Sequence, residues 1–339
     1  MSAALSIAAA QPIYARPLQP EVTGFKAYLT RSLYDPFIIN LKDATLMQVI
    51  EACVKAKSKM HRNYRESLGS LIYNLQAIEA AYGITLLPLQ VTDVFWGYFI
   101  SFCQNRGLKA STINTLCNQL RSVLNWSVKH NATVAPTYTD FRVPMVHNQE
   151  IALTANEVSR IIYFDIDMFY AGRRKDYIER MKRIRDMFVL SVSLGQRHSD
   201  MVRIDATCFE RNIFRITQQK TGNLAVVDID KFAVDPGTVY DILERYDYKA
   251  PYPAGIGNYN YALHDLMRDI GFTEPVRLEE RVAGKLVVSN TPKWKLITSH
   301  TARRTFTTVN VMRGYNIHAI KKATGHTDLR SLDKYVCDE

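Results

Sequence analysis

The sequence predicts a mostly α-helical protein with a small β-sheet, divided into two domains. Three observations carry this. Apolar residues recur at helical spacing from 44 to 130. Two alternating stretches within 214–230 flank Thr221-Gly222-Asn223, the pattern of a β-hairpin. Between them, residues 131–150 hold Pro136 and Pro144 and no clear period, which reads as an interdomain linker. A chain of 339 residues is long enough for two cores.

Residues 1–43 contain four prolines and little periodicity, and form a leader whose role the sequence leaves open. The run ALSIAAA is apolar but short, with no lysine or arginine before it, so it is not read as a signal peptide. No segment approaches the length of a transmembrane helix, and no membrane partner is expected.

From 44 to 130 four helices are expected. Leu46, Val49, Ile50 and Cys53 mark the first. Leu68, Leu71, Ile72, Leu75, Ile78 and Glu79 mark the second, which Gly83 ends. Val94 to Cys103 is a third, dense in aromatics. The fourth begins at Ser111 as N-cap, with Ile113, Leu116, Leu120, Val123, Leu124 and Val128 as its apolar stripe. Lysine and arginine outnumber acidic residues across this region. Arg62, Arg65, Lys109 and Arg121 are the candidates for phosphate or groove contacts, against the plainer reading of a solvated helix surface.

The second domain, 151–339, opens at Thr154 with Glu157 three residues on, a capping box that starts a helix. Basic residues cluster from Arg173 to Arg185. An apolar helical run then ends at Gly195 and presents Arg197 just past the turn, with Asp200 as a carboxylate suited to hold its guanidinium. Lys220 falls at the hairpin tip, where a flexible lysine reaches a groove. Another helix runs from near Ser299 to Gly314.

The net charge of +10 points to a polyanionic partner. Five widely spaced cysteines without a C-x-x-C pair disfavour a zinc site and a disulfide framework, and suit a reducing cytoplasm.

The chemistry concentrates near the end of the chain. TSHTARRTF (298–306) and ATGHTDLRSLDKY (323–335) place His300, Arg303, His326 and Tyr335 in an ordered series, with Tyr335 nine residues after His326. Cationic groups beside one phenol are what a phosphodiester-attacking tyrosine needs. Arginine offers a planar fork matched to two phosphate oxygens, and histidine can donate to them or move a proton. Arg197 supplies a second arginine and Lys220 a general acid for the departing oxygen. Consecutive helical positions point about 100° apart, so Arg303 rather than Arg304 shares the side of His300. Arg304 is then a backbone-phosphate contact or a surface charge. No carboxylate or cysteine falls at ligand spacing from these histidines, so no metal site is expected; His318 matches no spacing either.

The order Arg197, Lys220, His300, Arg303, His326, Tyr335 resembles the catalytic set of the tyrosine recombinases, the phage-integrase family. The neighbouring letters Arg-x-Ser-Asp, Gln-x-Lys-Thr-Gly and Gly-His-Thr agree. The resemblance covers roughly residues 44–339 and is nearest the integrases of mobile elements in the Bacteroides group. It implies a SAM-like core-binding domain at 44–130 and a mixed α+β catalytic domain at 151–339. It further implies site-specific strand exchange on double-stranded DNA through a 3′-phosphotyrosine, with no cofactor, nucleotide or metal. Type IB topoisomerase-like relaxation and an inactive DNA-binding relic are the alternatives. Only four residues follow Tyr335, too few for a helix that docks on a neighbouring protomer. The expectation is a monomer in free solution and a homo-tetramer on DNA.

Overall fold

The computed structural model describes residues 41–58, 63–139, 143 and 151–326. The chain divides into two units: residues 1–146 with 280–287, and residues 147–279 with 288–339. The fold class is as expected, mostly helical with small sheets.

In the first unit, α1 (Leu46–Lys57), α2 (Tyr64–Ser67), α3 (Gly69–Tyr82), α4 (Asp93–Asn105) and α5 (Ala110–Val128) surround one apolar core. Thr45 opens α1 with a full capping box to Gln48, and Leu46, Val49, Ile50 and Cys53 all turn inward. Gly83 ends α3 in the left-handed conformation. The aromatic density of α4 is only partly core: Trp96 and Phe99 are buried, while Tyr98 on the same helix is 70% exposed.

The fourth predicted helix starts one residue before its expected cap. Lys109, not Ser111, is the N-cap of α5 and gives no side-chain cap. Burial of Ala110 against the core draws the helix back to that residue, and Ser111 lies inside the first turn, its carbonyl accepting from Thr115.

The described part of the expected linker is held by this unit rather than left loose. Trp96 Nε1 donates to the Tyr138 carbonyl at 3.2 Å. Asn114 brackets the Val143 backbone, donating to its carbonyl at 3.0 Å and accepting from its N–H at 3.3 Å.

The second unit comprises α6 (Ala155–Ile162), α7 (Ile166–Phe169), α8 (Lys175–Leu194), α9 (His198–Met201), β1 (Phe209–Glu210), β2 (Ile213–Thr217), β3 (Leu224–Asp228), α10 (Ile229–Phe232), α11 (Pro236–Arg245), α12 (Ile256–Ile270), α13 (Ser299–Met312) and α14 (Ile317–Thr324), while β4 (Pro275–Val282) and β5 (Lys285–Pro292) fall partly in each unit. Its axis is α8. Every residue from Asp186 to Leu194 is buried, because α6, α11, α12 and α13 pack around it. The capping box predicted at Thr154 and Glu157 is present at the head of α6. Within the helix, the fully buried Asp186 carboxylate is met by Arg185 at 2.8 Å, Arg245 at 2.9 Å and the Tyr246 hydroxyl at 3.0 Å.

β1, β2 and β3 form an antiparallel meander with Thr217 opposite Leu224, so the loop between β2 and β3 spans 218–223. Phe214, Ile216, Ala225 and Val227 face the core, and α14 lies against β3. The β4–β5 hairpin was not among the expected elements. Its turn residues Ala283 and Gly284 both have positive φ, and Glu280–Val287 group with the first unit. There Glu280 pairs with Lys109 at 2.7 Å.

Among the described residues no helix is long and apolar enough to cross a membrane.

Candidate active site

The C-terminal ends of α8 and α14 come together in the second unit, and the polar groups left over at those ends build the site. The last carbonyls of a helix have no partner within it. Here one buried side chain serves both ends: Gln196 Nε2 donates to Leu194 O at 2.6 Å and to Ala323 O at 2.8 Å. Both helices stop at a glycine in the left-handed conformation, Gly195 and Gly325, each at φ +64°. Each glycine is also needed for space. A Cβ on Gly195 would stand 2.7 Å from the Phe306 ring, and one on Gly325 would stand 2.7 Å from the Gln218 amide.

Arg303, on α13, is 1% exposed. Its Nη1 donates to Gly195 O at 3.1 Å, where the negative end of the α8 dipole favours a cation. Its Nη2 lies 3.1 Å from His326 Nε2. A guanidinium can only donate, so Nε2 is the acceptor and the imidazole proton sits on Nδ1. Nδ1 lies 2.6 Å from Thr324 Oγ1, which passes its own proton to Ile320 O at 2.7 Å. Burial pushes the His326 pKa down to about 3, aided by the charges of Arg303, Arg197 and His300. His326 is therefore neutral in the DNA-free protein at ordinary pH.

Arg197 follows the α8 turn as the N-cap of α9, partly exposed. Asp200 does not hold its guanidinium as expected. Asp200 is fully buried, and its Oδ1 accepts from the Gln219 N–H at 2.8 Å and from Arg203 at 3.4 Å. The extended backbone at Arg197 turns the two side chains to different neighbours, and Arg197 Nη1 instead donates to Gln218 Oε1 at 2.8 Å.

Lys220 is exposed in the β2–β3 loop, as the hairpin reading required. The loop backbone is not slack. It is tied before the lysine by Gln218 and by the Gln219 N–H, and after it by Asn223 Nδ2, which donates to Gly325 O at 3.2 Å. His300 is exposed at the second position of α13. Arg304, next to Arg303, is half-buried. His318, which matched no spacing in the sequence, lines a cavity of about 310 Å³ beside His326, together with Asn223, Lys321 and Lys322.

The structure thus brings Arg197, Arg303 and His326 into one network and sets Lys220 on a loop tied to it. Tyr335 lies outside the described residues, as does Arg62. Arg65 and Lys109 are exposed in the first unit, and Arg121, half-buried there, donates to Asn118 at 3.1 Å. Gln218, Gln196 and Thr324 received no role from the sequence. The only signal was that Gln218 is the first letter of Gln-x-Lys-Thr-Gly.

No protein-family model and no curated protein matches the sequence. Solved structures do match the fold. A lambda integrase dimer bound to a COC' core site superposes with a TM-score of 0.60 at 16% identity, over 87% of this chain and 96% of that one. The Tn1549 transposon integrase in complex with transposon right end DNA gives a TM-score of 0.60 at 14% identity, over 87% and 95%. The XerH site-specific recombinase bound to palindromic difH substrate gives 0.58 at 11% identity, over 94% and 87%. The chain has the fold of these enzymes.

Proposed function

We propose that this protein is a site-specific DNA recombinase that cleaves and rejoins DNA through a 3′-phosphotyrosine, and that it integrates or excises a mobile element of the Bacteroides type. The observation that carries the reading is the meeting of Arg197, Arg303 and His326 at the ends of α8 and α14. It is supported by a fold shared with integrases whose structures hold DNA.

In this reading Arg197 and Arg303 hold the non-bridging oxygens of the scissile phosphate. The Tyr335 oxygen bonds to phosphorus, the P–O5′ bond breaks, and Lys220 gives its proton to the departing 5′-oxygen. His300 acts as acid–base partner and takes the phenol proton. His326 sets the Arg303 guanidinium in the DNA-free state. To donate to the phosphate from Nε2 it must carry a proton there, by uptake of a second proton, which the incoming negative charge favours, or by a change of tautomer. One phosphodiester replaces another, so bond energy is retained and no nucleotide is consumed. Charge stabilisation at the phosphate is the largest catalytic contribution, several kcal/mol by order of magnitude.

The first unit serves as the core-binding domain, with Arg65, Lys109 and Arg121, and also Arg62, contacting backbone or groove, and with Arg304 of the second unit at a phosphate. A homo-tetramer on paired sites is the working assembly, in line with a lambda integrase tetramer bound to a Holliday junction among the fold relatives.

The test is a two-plasmid assay in which the plasmids carry the joined ends of the element encoding this chain and its chromosomal target. Sequenced recombinant junctions that disappear with Arg303→Ala are the expected result. Relaxed plasmid without junctions would replace the proposal by a topoisomerase reading, and binding without any strand breakage by the inactive-relic reading.

A further inference from the structure

Gln218 is 1% exposed, and its amide is saturated. Oε1 accepts from Arg197 Nη1 at 2.8 Å and from Thr221 Oγ1 at 3.0 Å. Nε2 donates to Gln196 Oε1 at 2.8 Å and to Thr324 O at 2.7 Å. A primary amide has two acceptor sites and two donor hydrogens, and all four are used. The orientation is fixed from both sides. Arg197 only donates, so it demands the oxygen, and the Thr324 carbonyl only accepts, so it demands the nitrogen. Gln196 cannot flip to relieve this, because its own Nε2 serves Leu194 O and Ala323 O.

We infer that Gln218 is a positioning residue that couples the Lys220 loop to the phosphate clamp, through one amide that orients Arg197 and ties β2 to the turn before His326. The inference rests on the proposed function for its catalytic meaning and on the hydrogen bonds alone for its geometry. Lys220 is two residues beyond Gln218, and His326 two residues beyond Thr324. A shift at the amide therefore reaches the acid, one arginine and the histidine turn together. The Gly325 approach fits this: a Cβ there would strike the Gln218 amide, so the turn is closed down on it. Leu or Met at 218 would fill the space but strand the Thr324 and Gln196 oxygens in a buried setting. Glu would keep an acceptor for Arg197 and set a second oxygen against those two.

The backbone ties through Gln219 and Asn223 remain in a Gln218 variant, so the hairpin stays attached while its register on the turn before His326 loosens. The experiment is a double-mutant cycle on single-turnover covalent cleavage of a nicked cognate duplex, using Gln218→Ala, Arg197→Ala and both together. Gln218→Ala is expected to slow cleavage by ~100-fold, the scale of a displaced catalytic group. In the Arg197→Ala background the same change is expected to cost markedly less than in wild type, the remaining loss being the share carried by the Lys220 loop and the His326 turn. Independent, multiplicative losses, or a Gln218→Ala rate equal to wild type, would overturn the inference.

Side-chain ¹⁵N spectra of the DNA-free protein give a readout that does not depend on catalysis. Arg197 Nη signals are expected to show hindered rotation in wild type and in Gln218→Glu, and free rotation in Gln218→Ala. Free rotation in wild type overturns the inference whatever the activity. If wild type makes no adduct while the spectra behave as expected, the functional reading has failed and the positioning role stands. If Gln218→Ala does not fold, Gln218→Glu carries the cycle, with loss of cleavage despite a restrained Arg197 as the supporting result and wild-type cleavage as the overturning one.

Discussion

Arg303 Nη2 donates to His326 Nε2 across 3.1 Å, and the direction of that bond fixes the charge state of the site. A protonated His326 would turn an N–H toward a guanidinium that has no lone pair. The geometry and the depressed pKa therefore agree on a neutral ring.

A pH dependence of stability follows. The His326 pKa lies at about 3 in the folded protein against an ordinary 6.5. Between those values the unfolded chain binds more protons, so stability rises with pH across the window. The contribution is fully present above about 6.5 and is lost as pH falls toward about 3. Denaturant midpoints measured from pH 3 to 7 should slope upward for wild type and less steeply for His326→Gln. Equal slopes would show that His326 does not titrate this way.

Gly195 should be among the most sensitive glycines. Its positive φ alone costs a substituted alanine about 1–2 kcal/mol, and overpacking against Phe306 adds about 1–3 kcal/mol. Gly83 has a similar φ of +62° but open space around its Cβ. Gly83→Ala should therefore cost only about 1–2 kcal/mol. Chemical denaturation of the two variants separates strain from collision, and equal losses would contradict the close approach at Gly195.

Lys220→Ala should slow cleavage of an ordinary duplex by about 100-fold or more, the usual range for a lost general acid. A duplex with a 5′-thio leaving group needs no proton and should be spared. If both substrates lose equally, Lys220 has a binding role instead.

Much of the fold and part of the site could be read from sequence, for local reasons. The stripes of α1 and α5, the Thr154 capping box and the glycine stops at Gly83 and Gly195 depend on neighbours within a few residues. The β4–β5 hairpin was not anticipated, although Val276, Leu278 and Val282 alternate before an Ala283-Gly284 turn. The many charges of that stretch, with Arg277, Glu279, Glu280 and Arg281 among them, leave little of an apolar signal. The partner of Arg197 was beyond local reading. Asp200 is three residues away in sequence, whereas Gln218 arrives from the next hairpin and is placed by the Thr324 carbonyl at the end of α14. Such a role is set by tertiary contacts between three separate segments.

The central claim is a covalent route through Tyr335 at the Arg–His site. Wild type, Tyr335→Phe and Arg303→Ala should be incubated with a nicked cognate duplex, and the products resolved under denaturing conditions with the attachment site mapped by mass spectrometry. The account predicts a 3′-linked adduct on Tyr335 in wild type, none with Tyr335→Phe despite undiminished duplex binding, and at least ~100-fold less with Arg303→Ala. An undiminished adduct in Tyr335→Phe, or one mapped to another residue, would contradict it.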